Sequence, residues 1–385
     1  MSHEPNSHLS FVEPIYVTRP VLPDLEQVTE RLRSVWQSQW LTNNGPQHRE
    51  LEAHLTTFLN VPQLSLFNNG TIALITAVQS LRLAGEVITT PFTFPGTPHV
   101  LAWNNIRPIF CDIDPVTMNL DPARIESMIT PQTTGILGVH VYGNPCHVVA
   151  IQEIADRYGL RVIYDAAHAF GTEVCDVGIG NFGDITMFSF HATKLYHSAE
   201  GGALACQDRR LKERIDLLKN FGIKNEEEVV MPGINGKMNE IQAAIGLVML
   251  DYIEPEQQRR RAILEWYHSG LADIPGLSLT DSIPGVRSSY QYCVLRVDAA
   301  AFGMDRDALH DALKGYNVFT RKYFYPLCSD YAVYRQLPSS NPSNLPVAHT
   351  VVREVLCLPF YGRLSETDVA QICAIIRHVH QHAYA

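Results

Sequence analysis

Long apolar runs are missing from this sequence of 385 residues. No run approaches the roughly 20 residues that a membrane-spanning helix requires, so we expect neither a membrane protein nor a membrane partner. The first 14 residues, MSHEPNSHLSFVEP, are polar and contain neither the basic nor the apolar segment of a signal peptide. Because apolar residues still make up 46% of the chain, the composition predicts a globular protein, which we expect to be cytoplasmic.

Paired cysteines and blocks of basic residues are also missing. The eight cysteines stand singly, without a CxxC pair, and several lie in apolar runs where cysteine behaves as a small hydrophobic residue. We expect reduced thiols and no structural metal. Forty acidic residues against 30 basic ones give a net charge of −10, which argues against nucleic acid as a partner. The one basic block, residues 259–261, is interpreted as the solvated face of a helix.

The sequence has no Walker loop, no GxGxxG fingerprint and no Gly-x-Ser-x-Gly elbow, so it lacks the motifs of three large enzyme classes. It does contain apolar strands that alternate with helices between about residues 64 and 206, which predicts a parallel sheet covered on both faces. A chain of this length is expected to form a large domain, residues 1–250 with an N-terminal arm, and a smaller one, residues 251–385. One long helix over residues 240–271 is predicted to link them.

A lysine stands at the turn between two predicted core strands. Residues 185–190 (ITMFSF) and 203–206 (ALAC) are short apolar runs that predict strands, and Lys194 lies between them. Burial at this place would depress the pKa of its amine and make the amine nucleophilic, as a Schiff-base lysine requires. Taken alone, Lys194 is more readily explained as a surface lysine at a strand end.

Another apolar strand, residues 161–165 (RVIYD), ends on a carboxylate that is followed by small residues. A pyridoxal-phosphate enzyme needs a lysine that binds the cofactor's aldehyde and a carboxylate that keeps the pyridine nitrogen protonated. Lys194 and Asp165 are the residue types for this pair. The alternative for Asp165 is a structural aspartate that caps the following turn.

Three motifs in this order, DAAHAFG, SFHATK and EGGAL, resemble the StrS/DegT-type nucleotide-sugar aminotransferases, and the resemblance extends from about Pro20 to Leu364. It implies a pyridoxal-phosphate enzyme of fold type I. Such an α/β protein has a large domain with a mostly parallel seven-stranded sheet flanked by helices, and a smaller C-terminal α/β domain. The resemblance also implies that Lys194 binds the cofactor and serves as general base and acid, while Asp165 holds the ring protonated.

The resemblance assigns the cofactor phosphate as well. Residues 64–71 (LSLFNNGT) predict a strand and a turn that enter a helix, whose free N–H groups and dipole favour an anion. Any strand–turn–helix has this geometry, and the resemblance makes Gly70 and Thr71 the first contacts, with Ser189 beside them. Asn235 matches an asparagine that reaches the phosphate of the neighbouring subunit, which implies a homodimer with shared active sites.

Further residues are implied around the ring and the substrate. Phe94 resembles the residue on which the ring stacks, and an ordinary core phenylalanine fits the pattern too. His168 would pack on the cofactor or reach its phenolic oxygen. His191 is a catalytic candidate near the aldehyde or a merely structural histidine. Arg321 and Tyr323 resemble residues of the sugar-nucleotide cleft, or they belong to a tyrosine-rich strand edge.

The family implies L-glutamate as the amino donor, 2-oxoglutarate as its product, and pyridoxamine phosphate as the cofactor form between two half-reactions. The other substrate is a nucleotide-linked keto sugar. One branch has histidine in place of Lys194 and removes a hydroxyl, so the lysine favours transamination. The motifs, with WLTNNGP and FNNGTIAL, most resemble members that aminate C4 of a dTDP-linked 4-keto-6-deoxyglucose for surface polysaccharides. The alternatives are a C3 ketone, a UDP- or GDP-linked sugar, a pyridoxal-phosphate-dependent dehydratase or lyase, and a non-enzymatic binding module.

Overall fold

A computed structural model describes residues 8–280 and 282–383. Residues 1–7, which begin the predicted N-terminal arm, Asp281 and residues 384–385 lie outside the described part. Within that part, no helix is both long and apolar enough to cross a membrane. All eight cysteines are free, and seven of them are buried.

Helices and strands alternate along the first half of the chain, as predicted. The helices are α1 Leu25–Ser38, α2 Pro46–Phe58, α3 Gly70–Ser80, α4 Gly96–Trp103, α5 Pro122–Ile125, α6 Val148–Tyr158, α7 Arg209–Leu218, α8 Glu240–Met249, α9 Ile253–Leu271, α10 Ala299–Phe302, α11 Arg306–Gly315, α12 Pro346–Glu354 and α13 Glu366–Ala383. The strands are β1 Ile15–Tyr16, β2 Gln63–Phe67, β3 Glu86–Thr89, β4 Arg107–Phe110, β5 Thr133–Val139, β6 Arg161–Asp165, β7 Glu173–Val174, β8 Val177–Gly178, β9 Ile185–Ser189, β10 Gly202–Cys206, β11 Leu277–Leu279, β12 Val286–Arg287, β13 Cys293–Val297, β14 Val318–Phe319 and β15 Val355–Leu358.

The central sheet contains seven strands in the order β2-β10-β9-β6-β5-β3-β4. Strand β10 is antiparallel to both of its neighbours, β2 and β9, and the other neighbouring pairs are parallel. The predicted mostly parallel seven-stranded sheet is therefore confirmed. The carboxyl ends of β2, β3, β6 and β9 lie on one edge, which is where ligands bind in open parallel sheets.

Helices cover both faces of this sheet, and successive residues of a strand belong to different cores. In β6, Val162 packs in the cluster that contains Leu51 of α2, whereas Ile163 packs in the cluster that contains Leu74 of α3. This alternation follows from the two-residue repeat of a strand. Because both faces are buried, the strands are continuous apolar runs, and this made them recognisable in the sequence.

The C-terminal part of the chain has its own core around the antiparallel sheet β11-β13-β15. Helices α9 and α13 pack together there, with Tyr267 and Ile372 in the same cluster. Phe11 of the N-terminal arm also packs in this cluster, and β1 pairs with β14 in parallel. The described part of the arm is therefore attached to the C-terminal region. The domain division after residue 250 stays a prediction.

The single long helix predicted over residues 240–271 is wrong. The structure has α8, a short 3-10 segment Leu250–Tyr252, and then α9. Pro255 lies in the first turn of α9, where its missing N–H is tolerated. In a continuous helix it would lack a hydrogen bond to the carbonyl four residues earlier and its ring would clash there, so the helix is interrupted just before it.

The interpretation of residues 259–261 as a solvated helix face is wrong for the middle residue. Arg260 is buried. Its Nε donates to Glu256 Oε1 at 2.7 Å and its Nη1 donates to the carbonyl oxygen of Tyr290 at 3.2 Å. The backbone N–H of Gly362 donates to the same Glu256 oxygen at 2.9 Å. The buried pair thus joins α9 to two other segments of the C-terminal region.

Candidate active site

A cavity of about 670 Å³ opens at the edge of the sheet where β2, β3, β6 and β9 end. Nine of the eleven predicted site residues line it: Gly70, Thr71, Phe94, Asp165, His168, Ser189, His191, Lys194 and Tyr323. The structure therefore brings together residues that are far apart in the sequence. Asn235 and Arg321 are exposed and are not part of the cavity wall.

Lys194 lies in the turn that follows β9. Its backbone N–H donates to the carbonyl oxygen of His191 at 2.9 Å, and the N–H of Ser198 returns to the carbonyl oxygen of Phe190 at 3.1 Å. The Lys194 side chain is half-buried at the cavity wall. Burial lowers the pKa of its amine to about 8, and the nearby carboxylate of Asp165 opposes this shift. Lys194 is therefore not an ordinary surface lysine.

Asp165 ends β6 and its carboxylate is buried. One oxygen, Oδ2, accepts a hydrogen bond from Thr97 Oγ1 at 2.9 Å, and the other, Oδ1, accepts the N–H of Ala167 at 3.0 Å. Burial raises the pKa of this carboxyl, whereas the two hydrogen bonds and the charge of Lys194 oppose the rise. Asp165 does bond the turn that follows it, and it also faces the cavity. Thr97, which orients Oδ2, was not predicted from the sequence.

The start of α3 forms a cradle beside Ser189. The side chain of Asn69 accepts the N–H of Ile72 at 2.8 Å, while the N–H groups of Gly70 and Thr71 have no partner within the helix because they belong to its first turn. A Cβ atom on Gly70 would stand 3.2 Å from Ser189 Cβ and 3.4 Å from its Oγ. The glycine thus lets a backbone N–H, the helix dipole and a hydroxyl meet at one place, which suits a phosphate.

His168 carries a polar atom that is left unpaired by the part of the chain that the structure describes. The residue is buried, and among the described residues Nδ1 has no hydrogen-bond partner. Burial, reinforced by the charge of Lys194, holds the pKa of the ring well below its usual value, so the imidazole is neutral. The ring stacks on Phe324, with centroids 5.7 Å apart, and meets Tyr292 edge-on at 5.0 Å.

Phe94 and His191 lie nearer the mouth of the cavity. Phe94 is 59% exposed, so it is not a core phenylalanine, and its ring stays a predicted stacking partner. His191 Nδ1 accepts the N–H of Thr193 at 3.2 Å and lies 2.8 Å from Thr193 Oγ1, while Nε2 is 3.6 Å from Glu200 Oε1. These bonds tie the His191 ring to the turn that carries Lys194.

The two substrate candidates differ in their relation to the cavity, because Tyr323 lines it and Arg321 does not. Burial raises the pKa of Tyr323, and the positive charge of Arg321 opposes that shift. Their segment is not the strand edge considered from the sequence: Arg321 makes a single backbone bridge with Cys357, and turns follow it.

Comparison with known families identifies the family to which a chain with this cavity belongs. A profile of the DegT/DnrJ/EryC1/StrS aminotransferase family matches residues 24–377. This chain belongs to the DegT/DnrJ/EryC1/StrS aminotransferase family. It is therefore an aminotransferase with the fold type I architecture, and pyridoxal phosphate is its cofactor.

Individual members of the DegT/DnrJ/EryC1/StrS family are similar over almost their whole length. The dTDP-4-amino-4,6-dideoxy-D-glucose transaminase of Escherichia coli is 47% identical over 365 residues, which cover 94% of this chain and 98% of the relative. The crystal structure of DesI with its TDP-sugar product superimposes with a TM-score of 0.93 at 36% identity, and it covers 97% of this chain and 94% of DesI. Helicobacter pylori PseC, an aminotransferase of pseudoaminic acid biosynthesis, gives a TM-score of 0.89 at 26% identity, covering 96% and 100%.

The cavity of this family member fits pyridoxal phosphate on its own chemistry. A cradle of backbone N–H groups at α3 suits the phosphate, and the buried carboxylate of Asp165 suits a pyridinium nitrogen. The unpaired Nδ1 of His168 is available to a polar atom of the ring system. Lys194 supplies an amine with a lowered pKa. The same residues line one cavity, so one ligand can engage all of them.

Most of the cavity-lining residues that the sequence analysis missed stand close to predicted ones in the first 200 residues, and two come from the C-terminal region. Tyr292 and Phe324 line the cavity and contact the ring of His168. Tyr292 belongs to no motif, so no signal in the sequence set it apart from other core aromatics. Phe324 directly follows Tyr323 in the segment that resembles the sugar-nucleotide cleft, but nothing in the sequence assigned it a role. Asn69 did have a signal, because an asparagine just before a helix is a typical cap.

Proposed function

We propose that the protein transfers an amino group from L-glutamate to the C4 ketone of dTDP-4-keto-6-deoxy-D-glucose. The products would be 2-oxoglutarate and dTDP-4-amino-4,6-dideoxy-D-glucose, a precursor for surface polysaccharide. The observation that carries this choice is the 47% identity, over nearly the full length of both chains, with a transaminase named for that product. Because nucleotide sugars are made and used in the cytoplasm, we infer that the enzyme works there.

In this proposal the bound cofactor supplies an aldehyde that accepts the amino group and a ring that withdraws electrons. Lys194 moves a proton at Nζ, because its lowered pKa makes both the neutral amine and the ammonium accessible near neutral pH. Asp165 keeps the pyridine nitrogen protonated through its buried carboxylate. The N–H groups of Gly70 and Thr71, with the hydroxyl of Ser189, bind the phosphate.

Phe94 would stack on one face of the cofactor ring. Nδ1 of the neutral His168 imidazole would form a hydrogen bond with the phenolic oxygen of the cofactor. His191 would act near the aldehyde by holding the Lys194 turn, since its ring bonds Thr193. The exposed guanidinium of Arg321 suits the diphosphate of a nucleotide sugar, and the phenol of Tyr323 suits a sugar hydroxyl.

The proposal includes a homodimer with shared active sites. Asn235 is exposed on the segment between α7 and α8, where its backbone bridges Asn220. An exposed asparagine outside its own cavity is free to reach the cavity of a second subunit. We propose that Asn235 completes the phosphate site of the partner, which makes the dimer obligatory for activity.

An absorbance experiment tests the reaction. The enzyme is loaded with pyridoxal phosphate, and its spectrum is recorded before and after L-glutamate and then after dTDP-4-keto-6-deoxy-D-glucose. We expect the band of the bound cofactor to bleach with glutamate and to return with the keto sugar, and NMR of the product to show the amine at C4. Bleaching without recovery would mean that the sugar is wrong, and an amine at C3 would overturn the C4 assignment.

A further inference from the structure

The carboxamide of Gln291 bridges the two peptide groups that flank Lys194. Its Oε1 accepts the backbone N–H of Leu195 at 2.9 Å, and its Nε2 donates to the carbonyl oxygen of Thr193 at 3.2 Å. Gln291 is buried, and it lies just before β13, in the C-terminal region. Gln291, which belongs to no motif, therefore bonds the backbone on both sides of Lys194.

A carboxamide satisfies both contacts. The Leu195 N–H needs an acceptor and the Thr193 carbonyl needs a donor, and an uncharged amide offers one of each from a single planar group. A carboxylate at position 291 would leave the Thr193 carbonyl without a donor, and an amine would leave the Leu195 N–H without an acceptor. The orientation of the Gln291 amide is thus fixed by the two groups it meets.

Neighbouring residues of the same segment hold another part of the cavity. Ser289 Oγ donates to the carbonyl oxygen of His168 at 2.7 Å, and the ring of Tyr292 meets the His168 ring edge-on at 5.0 Å. Ser289, like Gln291, is buried. The segment before β13 therefore fixes the backbone at Lys194 and at His168 together, from outside the seven-stranded sheet.

The direction of the lysine side chain depends on the position of its backbone. Its side chain has four carbons and a small, strongly hydrated head group, and it can turn towards solvent if its backbone moves. Two other bonds of its turn, from Lys194 N–H to the His191 carbonyl and from Ser198 N–H to the Phe190 carbonyl, lie within the turn and do not attach it to the C-terminal region. Catalysis by a positioned amine is sensitive to such movement, since a misplacement of about 1 Å costs on the order of 100-fold in rate.

We propose that Gln291 is a positioning residue for Lys194, and that its two hydrogen bonds to the flanking peptide groups keep the amine directed into the cavity. This inference rests on the role given to Lys194 in the proposed function. It assigns to the C-terminal region a direct effect on the chemistry at the edge of the sheet. Gln291 does not touch the reacting atoms and acts only through the lysine backbone.

The test replaces Gln291 by Met, which keeps the length and the buried volume but removes both hydrogen bonds. Lys194 is labelled with trinitrobenzenesulfonate in the full-length, cofactor-free chain, and peptide mass spectrometry follows the rate against pH. In the wild type we expect a midpoint near the pKa of about 8, and in Q291M a midpoint shifted towards 10.5 with faster labelling at high pH. Reduction of the loaded enzyme by glutamate in a single turnover should slow on the order of 10- to 100-fold, with the apparent glutamate affinity changed less than about twofold.

Two further variants make the result decisive. Gln371→Met removes a hydrogen bond from Nε2 to the carbonyl oxygen of Leu9 in the same C-terminal region, and it should keep the wild-type midpoint and rate. Gln291→Asn keeps an amide that is too short to reach both peptide groups, and it replaces Q291M if that variant does not fold. Asn should give a smaller shift in the same direction.

Wild-type labelling of Lys194 in both Gln291 variants would overturn the proposal, even if activity fell. A shifted midpoint in Q291M beside a wild-type midpoint in Q371M supports it. The labelling requires neither cofactor nor sugar. If the wild-type enzyme fails to aminate the keto sugar while the midpoint still shifts in Q291M, the proposed function falls and the positioning role stands.

Discussion

Lys194 is the residue whose chemistry depends most on its surroundings. With a pKa of about 8, about one-tenth of its amines are neutral at pH 7, whereas a lysine at the ordinary value of 10.5 is neutral roughly 300-fold less often. Burial produces this difference, and the carboxylate of Asp165 limits it. The amine is therefore able to give and to take a proton near neutral pH.

Lys194→Ala is expected to abolish turnover, because Lys194 is the one lysine among the described residues that line the cavity. Release of 2-oxoglutarate in the presence of keto sugar measures it. Lys224→Ala is the control, since Lys224 pairs with Glu228 on an exposed loop and should keep the wild-type rate. Wild-type turnover in K194A would mean that another group moves the proton.

Asp165→Asn keeps the shape of the side chain and removes its charge. We expect weaker binding of pyridoxal phosphate and a fall in kcat on the order of 100-fold, because a neutral amide does not stabilise a protonated ring. Equilibrium dialysis gives the affinity, and steady-state assays give kcat. Asp114→Asn, in a turn where the carboxylate bonds local N–H groups, is the control. An unchanged affinity and rate in D165N would place the partner of the ring nitrogen elsewhere.

The residues of the site that could be predicted share a local setting. Lys194, Asp165 and Gly70 each stand at or just after the end of an apolar strand. At such places an apolar run in the sequence gives way to polar or small residues, and this change is visible without the structure. Gln291 and Phe324 had no such setting. Gln291 contacts the peptide groups beside Lys194 across 96 and 98 residues of chain, and only the folded chain brings such segments together.

At the scale of elements, helix α2 is capped from outside. Its N-cap residue is Gly45, which has no side chain to accept hydrogen bonds. Glu240, at the start of α8, supplies the acceptors instead: its carboxylate takes the N–H groups of Gln47 at 2.8 Å and His48 at 2.9 Å. In return, the N–H of Glu240 donates to the carbonyl oxygen of Leu41. The first turns of the two helices therefore depend on each other.

Glu240→Ala should lower the free energy of unfolding by about 1–2 kcal/mol, the usual cost of a lost helix cap. Urea denaturation followed by circular dichroism measures this loss. Glu254→Ala is the matched control, because Glu254 lies exposed in the first turn of α9 and bonds only the side chain of Gln258 among the contacts described. Equal stability of E240A and E254A would contradict the shared cap.

Helices and strands were predictable where the residues of the element itself, and not distant contacts, determine its conformation. The apolar strands of the sheet follow from local composition, and the structure confirms them. The interruption between α8 and α9 was missed because the apolar pattern continues through it, although Pro255 marks the place. Burial of Arg260 was missed for another reason: its partner Glu256 lies one turn away, and nothing local shows that this face packs inward.

At the scale of the whole molecule, active sites shared between two subunits are expected to restore activity in dimers that combine two different inactive variants. Asn235→Ala alone should lower kcat about tenfold or more, since removing one donor to bound charge weakens its stabilisation. Mixing K194A with N235A subunits should then raise activity, because one site of each mixed dimer receives Lys194 from one chain and Asn235 from the other. The activity of the mixture is compared with that of each variant alone after subunit exchange. No gain would mean that Asn235 serves its own subunit or none.

Strand β10 enters the middle of the sheet although it is the last of the seven strands in the chain. It pairs with β2, where Ala203 stands opposite Leu66. During synthesis, a nascent chain that has just passed Lys194 has the lysine but lacks β10 and the wall formed by Tyr292 and Phe324. We therefore expect the cofactor to bind only after residue 324 has been synthesised, because the cavity lining is complete only then. A bound chromophore would thus report that segments between residues 68 and 324 have folded together.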